Sequence, residues 1–361
     1  MIVTATALVL ATPQTAFAAV SPTPEETSQV QGIVYGVAHL AGGRTVVGGD
    51  FTGVGSHAAS NIGALLPDGT PDTDFLVRTN GTVYAVAAAQ NDSVIYLGGT
   101  FTHVNGVARA SLAAVDAKSG ALLPWTADAN GAVRAMEVVG STLYVGGSFT
   151  TVNTTRQGRL VAFNVDTGAL KTDFDPRPDW TVRDLSASGP NAGVVYASGG
   201  FKRIGGADRQ SAAGVDAING DVTSFNPVTS GEVGLAIDVT PNGSRVFFSV
   251  PSNNVFAYEP KTSQLVWTTK GGGDTQAIEA TDSEVFIGGH FRNITTHKVK
   301  RNMVASLKVT DGTVNEWNPH ISGDMGPWAI QYTGSKLVVG GDFGWIGGAP
   351  RHGVGRFDVT P

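Results

Sequence analysis

The stretch YLGGTFTHVN (residues 96–105) returns almost unchanged as YVGGSFTTVN at residues 144–153. Both contain the element Gly-Gly-x-Phe, which occurs at 48–51, 98–101, 146–149, 288–291 and 340–343, with a degenerate copy, Ser-Gly-Gly-Phe, at 198–201. The interval of 90 residues between Phe201 and Phe291 holds two periods, and an eroded copy lies at residues 244–260. The sequence therefore contains seven repeat units, and internal repetition at a fixed period is the first guide to its fold.

Each unit contains four short runs of β-type residues separated by turns rich in Gly, Asn, Asp and Ser. In the second unit the runs are VYAV (83–86), SVIYLGG (93–99), ASLAAVD (110–116) and ALLPW (121–125). Such runs predict a four-stranded antiparallel sheet. A period near 50 residues with four strands is typical of a propeller blade. We therefore predict an all-β, seven-bladed β-propeller that occupies residues 19–361 as one domain.

Two further features concern how the blades pack and how the ring closes. A large aromatic residue precedes the first strand of the next unit, usually by eight residues, and we expect it to fill the gap between neighbouring blades. These residues are Phe75, Trp125, Phe174, Phe225, Trp267 and Trp317. The last unit supplies only three strands, so we expect residues near 20–30 to add its outer strand and close the ring.

Composition and the N-terminal segment limit the classes of partner. With no cysteine, the chain has no disulfide scaffold, thiolate zinc site or cysteine nucleophile. A net charge of -6 without a long Lys/Arg block disfavours nucleic acid as a partner. Residues 1–18 contain an apolar run that is too short to span a bilayer and end in Ala-Phe-Ala, which resembles a signal peptide cleavage site. These features predict a secreted, extracellular monomer without membrane insertion.

The repeats resemble a known family. VVGGDFTGVGSHAASNIGALLPDGTPDTDF (46–75) and the matching segment at 143–176 are similar to the delta-sixty type repeats of secreted bacterial β-propellers, whose domain has no assigned function. The Gly-Gly strand ends are also similar to those of kelch propellers. The resemblance implies an exported propeller and brings no catalytic residues with it. A quinoprotein-like turn is approached at Asp116, Ser119, Gly120 and Trp125, but an Asp- and Ser-supported turn explains these residues better.

The predicted binding residues occupy one repeated position. In a propeller the first strand of each blade lines the central channel, so residues at equivalent first-strand positions should meet there. The second position of this strand holds large or polar residues, with Gly234 as the exception in the fifth unit. They are Tyr35, Tyr84, Arg134, Arg183, Gln276 and Trp328. Aromatic faces and guanidinium groups suit a sugar or a flat polar ligand. The alternative is that these side chains only fill the channel and pair with Asp179, Asp184 or Asp324.

A second candidate site lies at the variable residue of Gly-Gly-x-Phe. Asp50, His290 and Asp342 occupy this position in units one, six and seven, which closure of the ring would make consecutive. They could hold a divalent cation or act as an acid and base, although an exposed polar position explains them as well. We expect no other cofactor.

The sequence thus predicts a non-catalytic secreted propeller that binds an extracellular glycan, peptide or partner protein at the mouth of its channel. One alternative is a polysaccharide hydrolase or lyase that acts at the same face. Another is a structural module of the cell surface, such as an adhesin.

Overall fold

The computed structural model describes residues 19–187, 193–229 and 231–360, and every regular element in these ranges is a β-strand. Within the same ranges, no helix is long and apolar enough to cross a membrane. The predicted signal peptide at 1–18 lies outside the described residues. The all-β prediction is confirmed.

The strands follow the repeat. The N-terminal strand is β1 (Ala19–Val20), and the first unit contributes β2 (Val30–His39), β3 (Thr45–Val54), β4 (His57–Ala58) and β5 (Ile62–Leu65). The second unit contributes β6 (Val83–Ala88), β7 (Val94–Gly99), β8 (His103–Val104), β9 (Val107–Ala108) and β10 (Leu112–Asp116). The third unit contributes β11 (Val133–Val139), β12 (Thr142–Gly147) and β13 (Leu160–Asn164).

The remaining four units continue the same order. The fourth contributes β14 (Val182–Ala187), β15 (Val194–Gly199), β16 (Arg203–Ile204), β17 (Ala207–Asp208) and β18 (Ala212–Asp216). The fifth contributes β19 (Ile237–Val239), β20 (Val246–Val250), β21 (Asn254–Tyr258) and β22 (Leu265–Lys270), and the sixth contributes β23 (Thr275–Ala280), β24 (Glu284–Gly289) and β25 (Val304–Lys308). The seventh contributes β26 (Gly326–Tyr332), β27 (Lys336–Asp342), β28 (Trp345–Ile346), β29 (Ala349–Pro350) and β30 (Val354–Thr360).

Each unit forms its own antiparallel sheet, and the described residues contain seven sheets of three or more strands. The first strand pairs with the second, and the second pairs with the third. The first strands are neighbours in chain order: β2 contacts β6, and the series continues through β11, β14, β19 and β23 to β26. β26 in turn contacts β2.

The prediction of four strands in every sheet is only partly right. The fifth sheet has β22 as its fourth strand, and in the seventh sheet β1 pairs with β30, with Val20 opposite Val359. Elsewhere the fourth strand shrinks to one isolated bridge, such as Val115 with Leu122. The chain leaves the sheet edge just after this bridge because its aromatic residue must reach the next sheet.

The aromatic residues pack as predicted. Trp125 makes edge contacts with Tyr96 of its own sheet and with Phe163 of the next, at centroid distances of 5.5 and 5.2 Å. Its indole Nε1 donates a hydrogen bond to the carbonyl oxygen of Gly168 at 2.9 Å. Gly168 has a φ of 71° in a tight turn, and a Cβ there would press against the indole ring. The tryptophan therefore packs between two sheets and holds them in register.

The two glycines of the repeat have different roles. The first, such as Gly98, leaves room for a first-strand valine of the next sheet, in this case Val133. The second, such as Gly99, lies against its own first strand, where a Cβ would overlap the carbonyl oxygen of Thr82. The motif is repeated because both close approaches recur from sheet to sheet, and only glycine permits them.

Candidate functional site

A cavity of about 840 Å³ lies where the first strands meet. The strands β2, β6, β11, β14, β23 and β26 and the segment around β19 all contribute to its lining. Cavities of this size suit small ligands. Because it draws on all seven units, residues separated by almost the whole chain share one surface.

In six of the seven first strands, a β-bulge directs one residue into this cavity. In β6, Val83 faces Gly99 and Ala85 faces Gly98, so Tyr84 is the extra residue of the bulge. The same register shift occurs in five other first strands, and the extra residues are Tyr35, Arg134, Arg183, Gln276 and Trp328. Bulges commonly re-aim side chains at functional sites. All six predicted binding residues line the cavity.

In the fifth unit, the residue that lines the cavity lies one position later than the sequence predicts. Gly234 was assigned the cavity position, but its amide donates to the carbonyl oxygen of Gly199 at 2.8 Å, and Leu235 lines the cavity instead. A Cβ on Gly234 would lie 2.9 Å from Cβ of Ser198. At this contact the larger and the smaller side chain are interchanged. Ser198 stands where other sheets have the repeat glycine, and Gly234 stands where other sheets have the valine that faces it.

Three aromatic residues from units seven, one and two form a continuous surface, which we call the aromatic wall (Trp328, Tyr35 and Tyr84). The ring centroid of Tyr35 lies 5.5 Å from that of Trp328 and 5.3 Å from that of Tyr84. The rings are tilted by 67° and 59°, so they form a curved wall rather than a flat stack. Burial, followed by the charges of neighbouring groups, raises the pKa of the Tyr35 phenol. Tyr35 therefore stays neutral and offers a hydroxyl group.

Next to the wall lie Arg134 and Arg183, the arginine pair. The Arg134 guanidinium carbon sits 5.0 Å from the ring centroid of Tyr84. Burial and the nearby charge of Arg134 lower the pKa of Arg183. Within the described residues, neither guanidinium has a carboxylate partner or donates a hydrogen bond.

The expected partners of the arginine pair are engaged elsewhere. Asp179 accepts hydrogen bonds from the backbone amides of Lys202 and Arg203. Asp184 accepts them from the amides of Leu185 and Ile237, each at 2.9 Å. Asp324 forms no ion pair with either arginine. The described residues therefore contain none of the ion pairs that this alternative requires.

Two buried polar atoms of the cavity lining also lack partners. The indole Nε1 of Trp328 is a donor and the amide Oε1 of Gln276 is an acceptor, and neither makes a hydrogen bond in the described structure. Buried polar atoms are rarely left unsatisfied in folded proteins. Both lie on side chains that line the cavity, although the two atoms themselves are buried.

The cavity lining also includes the channel carboxyls (Glu137, Asp184, Asp238 and Glu279), together with Asp274. Sequence reasoning missed Glu137, Asp238 and Glu279, and it considered Asp184 only as a partner of the arginines. Glu137, Asp238 and Glu279 each lie three residues after the cavity position of their strand, so extending the comparison of the units by three positions would have found them. Asp184 directly follows Arg183, at a position where the other units have Gly or Ala.

Most channel carboxyls also connect neighbouring sheets. Asp238 Oδ2 accepts the amide of Ala280 at 2.6 Å, and Glu279 Oε1 accepts that of Tyr332 at 2.8 Å. Asp184 accepts the amide of Ile237 in the same way. These acceptors satisfy backbone donors on the inner edges of the sheets, which have no strand partner. Glu137 makes no such bond within the described residues.

Comparison with known proteins agrees with this architecture. The sequence profile of the family described as outer membrane protein assembly factor BamB matches residues 36–333. The chain belongs to this family. Its similarity to solved structures is in fold alone: the WD40 β-propeller domain of Doa1 is 11% identical with a TM-score of 0.65, covering 95% of this chain and 97% of that one. The computationally designed protein Ika8 is 14% identical with a TM-score of 0.58, covering 93% and 99%. No curated protein sequence matches.

The family and the neighbours establish a β-propeller built from repeats. They do not distinguish the delta-sixty repeat type, which remains a prediction from the sequence. In this BamB-family propeller the cavity is formed by the first strands of the sheets, the place where the sequence predicted a binding site.

The predicted cation site is not supported by the geometry. Within residues 19–187, 193–229 and 231–360, no three His, Asp or Glu side chains are placed to share a metal ion, and this includes Asp50, His290 and Asp342. Burial and the charge of Asp324 raise the pKa of Asp342. The Nδ1 atom of His290 is buried without a hydrogen-bond partner. A shared position in the repeat does not bring these side chains to a common point.

Burial raises the pKa values of the channel carboxyls, to about 8 for Glu137, about 7 for Asp184 and about 6 for Asp238, and well above the ordinary value for Glu279. The charges of neighbouring carboxyls add to this effect for Glu137, Asp184 and Glu279. Each side chain is only partly exposed, towards the cavity. The folded protein therefore favours protonated forms of these groups.

We expect the free energy of unfolding to fall as the pH rises from 5 to 9. A folded-state pKa above the unfolded value gives stability that is complete below about pH 4 and is lost as the pH passes the folded values, here about 6 to 8. Glu137→Gln should flatten this decline and stabilise the protein by about 1–2 kcal/mol at pH 9, a value reduced for screening through the open cavity.

Urea denaturation at pH 5, 7 and 9 measures this effect. Asp173→Asn, at an exposed position outside the cavity, is the control and should leave the pH profile unchanged. Stability that rises between pH 5 and 8, or a Glu137→Gln profile identical to wild type, would contradict the assignment.

Proposed function

We propose that the chain closes into a ring of seven blades and that it acts as a binding protein, with its ligand at the mouth of the central channel. Closure is supported by three contacts between the seventh and first units. β26 contacts β2, a Cβ on Gly340 would overlap Val34, and Gln331 Oε1 accepts the backbone amide of His39 at 2.6 Å. The last contact repeats the side-chain links between the other sheets.

The single observation that carries the binding function is the arginine pair. Two guanidinium groups face a cavity without any carboxylate partner, beside an aromatic wall and two buried polar atoms that lack hydrogen bonds. Both arginine side chains are exposed to the cavity, so their charges are available to a ligand. A concave surface with a few convergent polar groups beside aromatic rings is typical of a ligand site.

We further propose that residues 1–18 direct export, that residues 19–361 form one domain and that the protein works outside the cell. A glycan, a peptide or a segment of a partner protein would each be available there. A scaffolding role is the second candidate, because the family description is that of an assembly factor. The exposed residues Trp180, Val233 and Met325 would give a protein partner apolar contacts. The hydrolase or lyase alternative stays a prediction from the sequence.

Binding to panels of glycans and peptides tests this proposal. We expect Trp328→Ala and Arg134→Ala each to weaken the observed binding at least tenfold, because each removes a large contact within the cavity. Trp345→Ala and Arg156→Ala change the same residue types at exposed positions outside the cavity and should bind like wild type. Binding that neither cavity variant affects would contradict a site in the channel, and conversion of a glycan to products would favour the catalytic alternative.

A further inference from the structure

The arginine pair, the aromatic wall and the channel carboxyls lie at defined places in one cavity, and together they restrict the chemistry of a ligand. We propose that the ligand is an acidic saccharide, with its carboxylate or sulfate group between Arg134 and Arg183 and a sugar ring against the aromatic wall. This inference rests on the proposed function, because it assigns a ligand class to the same site.

The anionic group is inferred from the charges at the mouth. Arg134 and Arg183 occupy equivalent bulges in neighbouring sheets, and the charge of one lowers the pKa of the other. Neither has a carboxylate partner in the described structure, so their repulsion is not compensated within the protein. Guanidinium groups bind carboxylate and sulfate oxygens through paired hydrogen bonds. An anion held by both would relieve the repulsion.

The sugar ring is inferred from the neighbouring wall. The aromatic wall offers three rings in a row, with the centroid of Tyr35 5.3 Å from that of Tyr84 and 5.5 Å from that of Trp328, and such surfaces pack against the C–H groups of sugars. The donor Nε1 of Trp328 and the acceptor Oε1 of Gln276 both lack partners. A hydroxyl group both donates and accepts, so a polyhydroxylated ring suits a lining that offers both donors and acceptors.

The channel carboxyls set the depth and direction of binding. Glu137 follows Arg134 by three residues on β11, or about 10 Å along an extended strand. Asp184, Asp238 and Glu279 line the same cavity. Carboxyl groups in either protonation state can bond hydroxyls, whereas a protonated carboxyl offers an anion no countercharge. The acid group should therefore stay at the mouth while neutral hydroxyl groups point inward.

An array of matched saccharides, measured by direct binding to the purified full chain, tests the proposal. Uronic-acid oligosaccharides and sulfated galactose oligosaccharides are compared with neutral oligosaccharides of the same linkage and length, and with tetrapeptides that have a free carboxyl terminus. We expect at least one acidic saccharide to bind at least tenfold more tightly than its neutral counterpart. The two acidic series distinguish a carboxylate from a sulfate as the preferred group.

The variants Arg134→Gln and Arg183→Gln should bind acidic saccharides no more tightly than neutral ones, because they remove the charges but leave the aromatic wall in place. Arg156→Gln removes the same charge from the third unit outside the cavity and should preserve the preference for acidic saccharides. Thermal melting checks that each variant is folded.

The outcomes separate this inference from the proposed function. Neutral saccharides or peptides that bind as tightly as acidic saccharides, through a site sensitive to Trp328→Ala, would overturn the ligand class and leave the binding function intact. Acidic saccharides that bind equally well to Arg134→Gln would also overturn it. If no saccharide or peptide in the array binds, both proposals fail.

Discussion

Replacing Arg356 with methionine should lower the free energy of unfolding by about 3–5 kcal/mol, the usual cost of removing one partner from a buried ion pair. Arg356 lies on β30 and is 1% exposed. Its Nε atom lies 2.9 Å from Oε2 of Glu25 in the N-terminal segment. Its Nη atoms donate to the carbonyl oxygens of Leu66 and Pro67 in the first unit, at 3.0 and 2.7 Å. One side chain thus joins the N-terminal segment, the last sheet and the first sheet.

The substitution leaves Glu25 with only Lys336 as an ionic partner. It also leaves the carbonyl oxygens of Gly43 and Pro67 without their donor, whereas that of Leu66 still accepts the amide of Gly69. The double variant Glu25→Gln with Arg356→Met should recover part of the loss, because it removes a carboxylate that has lost one of its two cationic partners. Arg203→Met is the matched control: Arg203 and its partner Asp208 are 60% and 89% exposed, and we expect a change of no more than about 1 kcal/mol. Urea unfolding measures all three. A loss for Arg356→Met as small as that for Arg203→Met would contradict the role of this ion pair at the junction.

The cavity residues could be predicted from the sequence because the same local structure positions each of them. The second glycine of the repeat lets the first strand approach closely, and the bulge beside it turns one side chain inward. Both features recur with the repeat, so comparison of the units located Tyr84, Arg134 and Trp328 without a structure. The aromatic residues between sheets were predictable for the same reason.

Features that depend on contacts between units were harder to predict. The cavity residue of the fifth unit was misplaced by one position because Gly234 occupies the position of a valine and packs against Ser198, which occupies the position of a glycine. Neither residue alone indicates this interchange. Asp184 breaks the run of small residues at its position because it accepts a backbone amide from the next sheet. The cation site at Asp50, His290 and Asp342 is unsupported for the opposite reason: equivalent positions in a repeat share a conformation without sharing a point in space.

The N-terminal segment contains Pro22 and Pro24, which disfavour a long strand, and it has Glu26 where other units have an aromatic residue. It pairs with β30 over only two residues. Contacts beyond the strand strengthen the junction: Ser21 accepts a hydrogen bond from the indole of Trp317 at 3.0 Å, and Glu26 pairs with Arg351. The hydrogen bond and charge of Arg351 lower the pKa of Glu26. Charged and polar contacts here take the place of the aromatic residue.

Closure of the ring by the N-terminal strand is the central claim, and a disulfide between Val20→Cys and Val359→Cys tests it most directly. The chain contains no other cysteine, and the two residues face each other across β1 and β30. Directly opposed residues of antiparallel strands lie within the range that a disulfide can bridge. Val20→Cys with Asp173→Cys, in the third unit, is a control pair that should not crosslink.

We expect the Val20→Cys, Val359→Cys protein to oxidise readily, to migrate faster on a non-reducing gel and to gain about 3–5 kcal/mol of unfolding free energy, because the bond closes almost the whole chain into one loop. The gain should disappear on reduction. If both thiols instead stay free and react with a maleimide in the folded protein, the ends of the chain do not meet in one sheet, and the closed ring with its shared channel is contradicted.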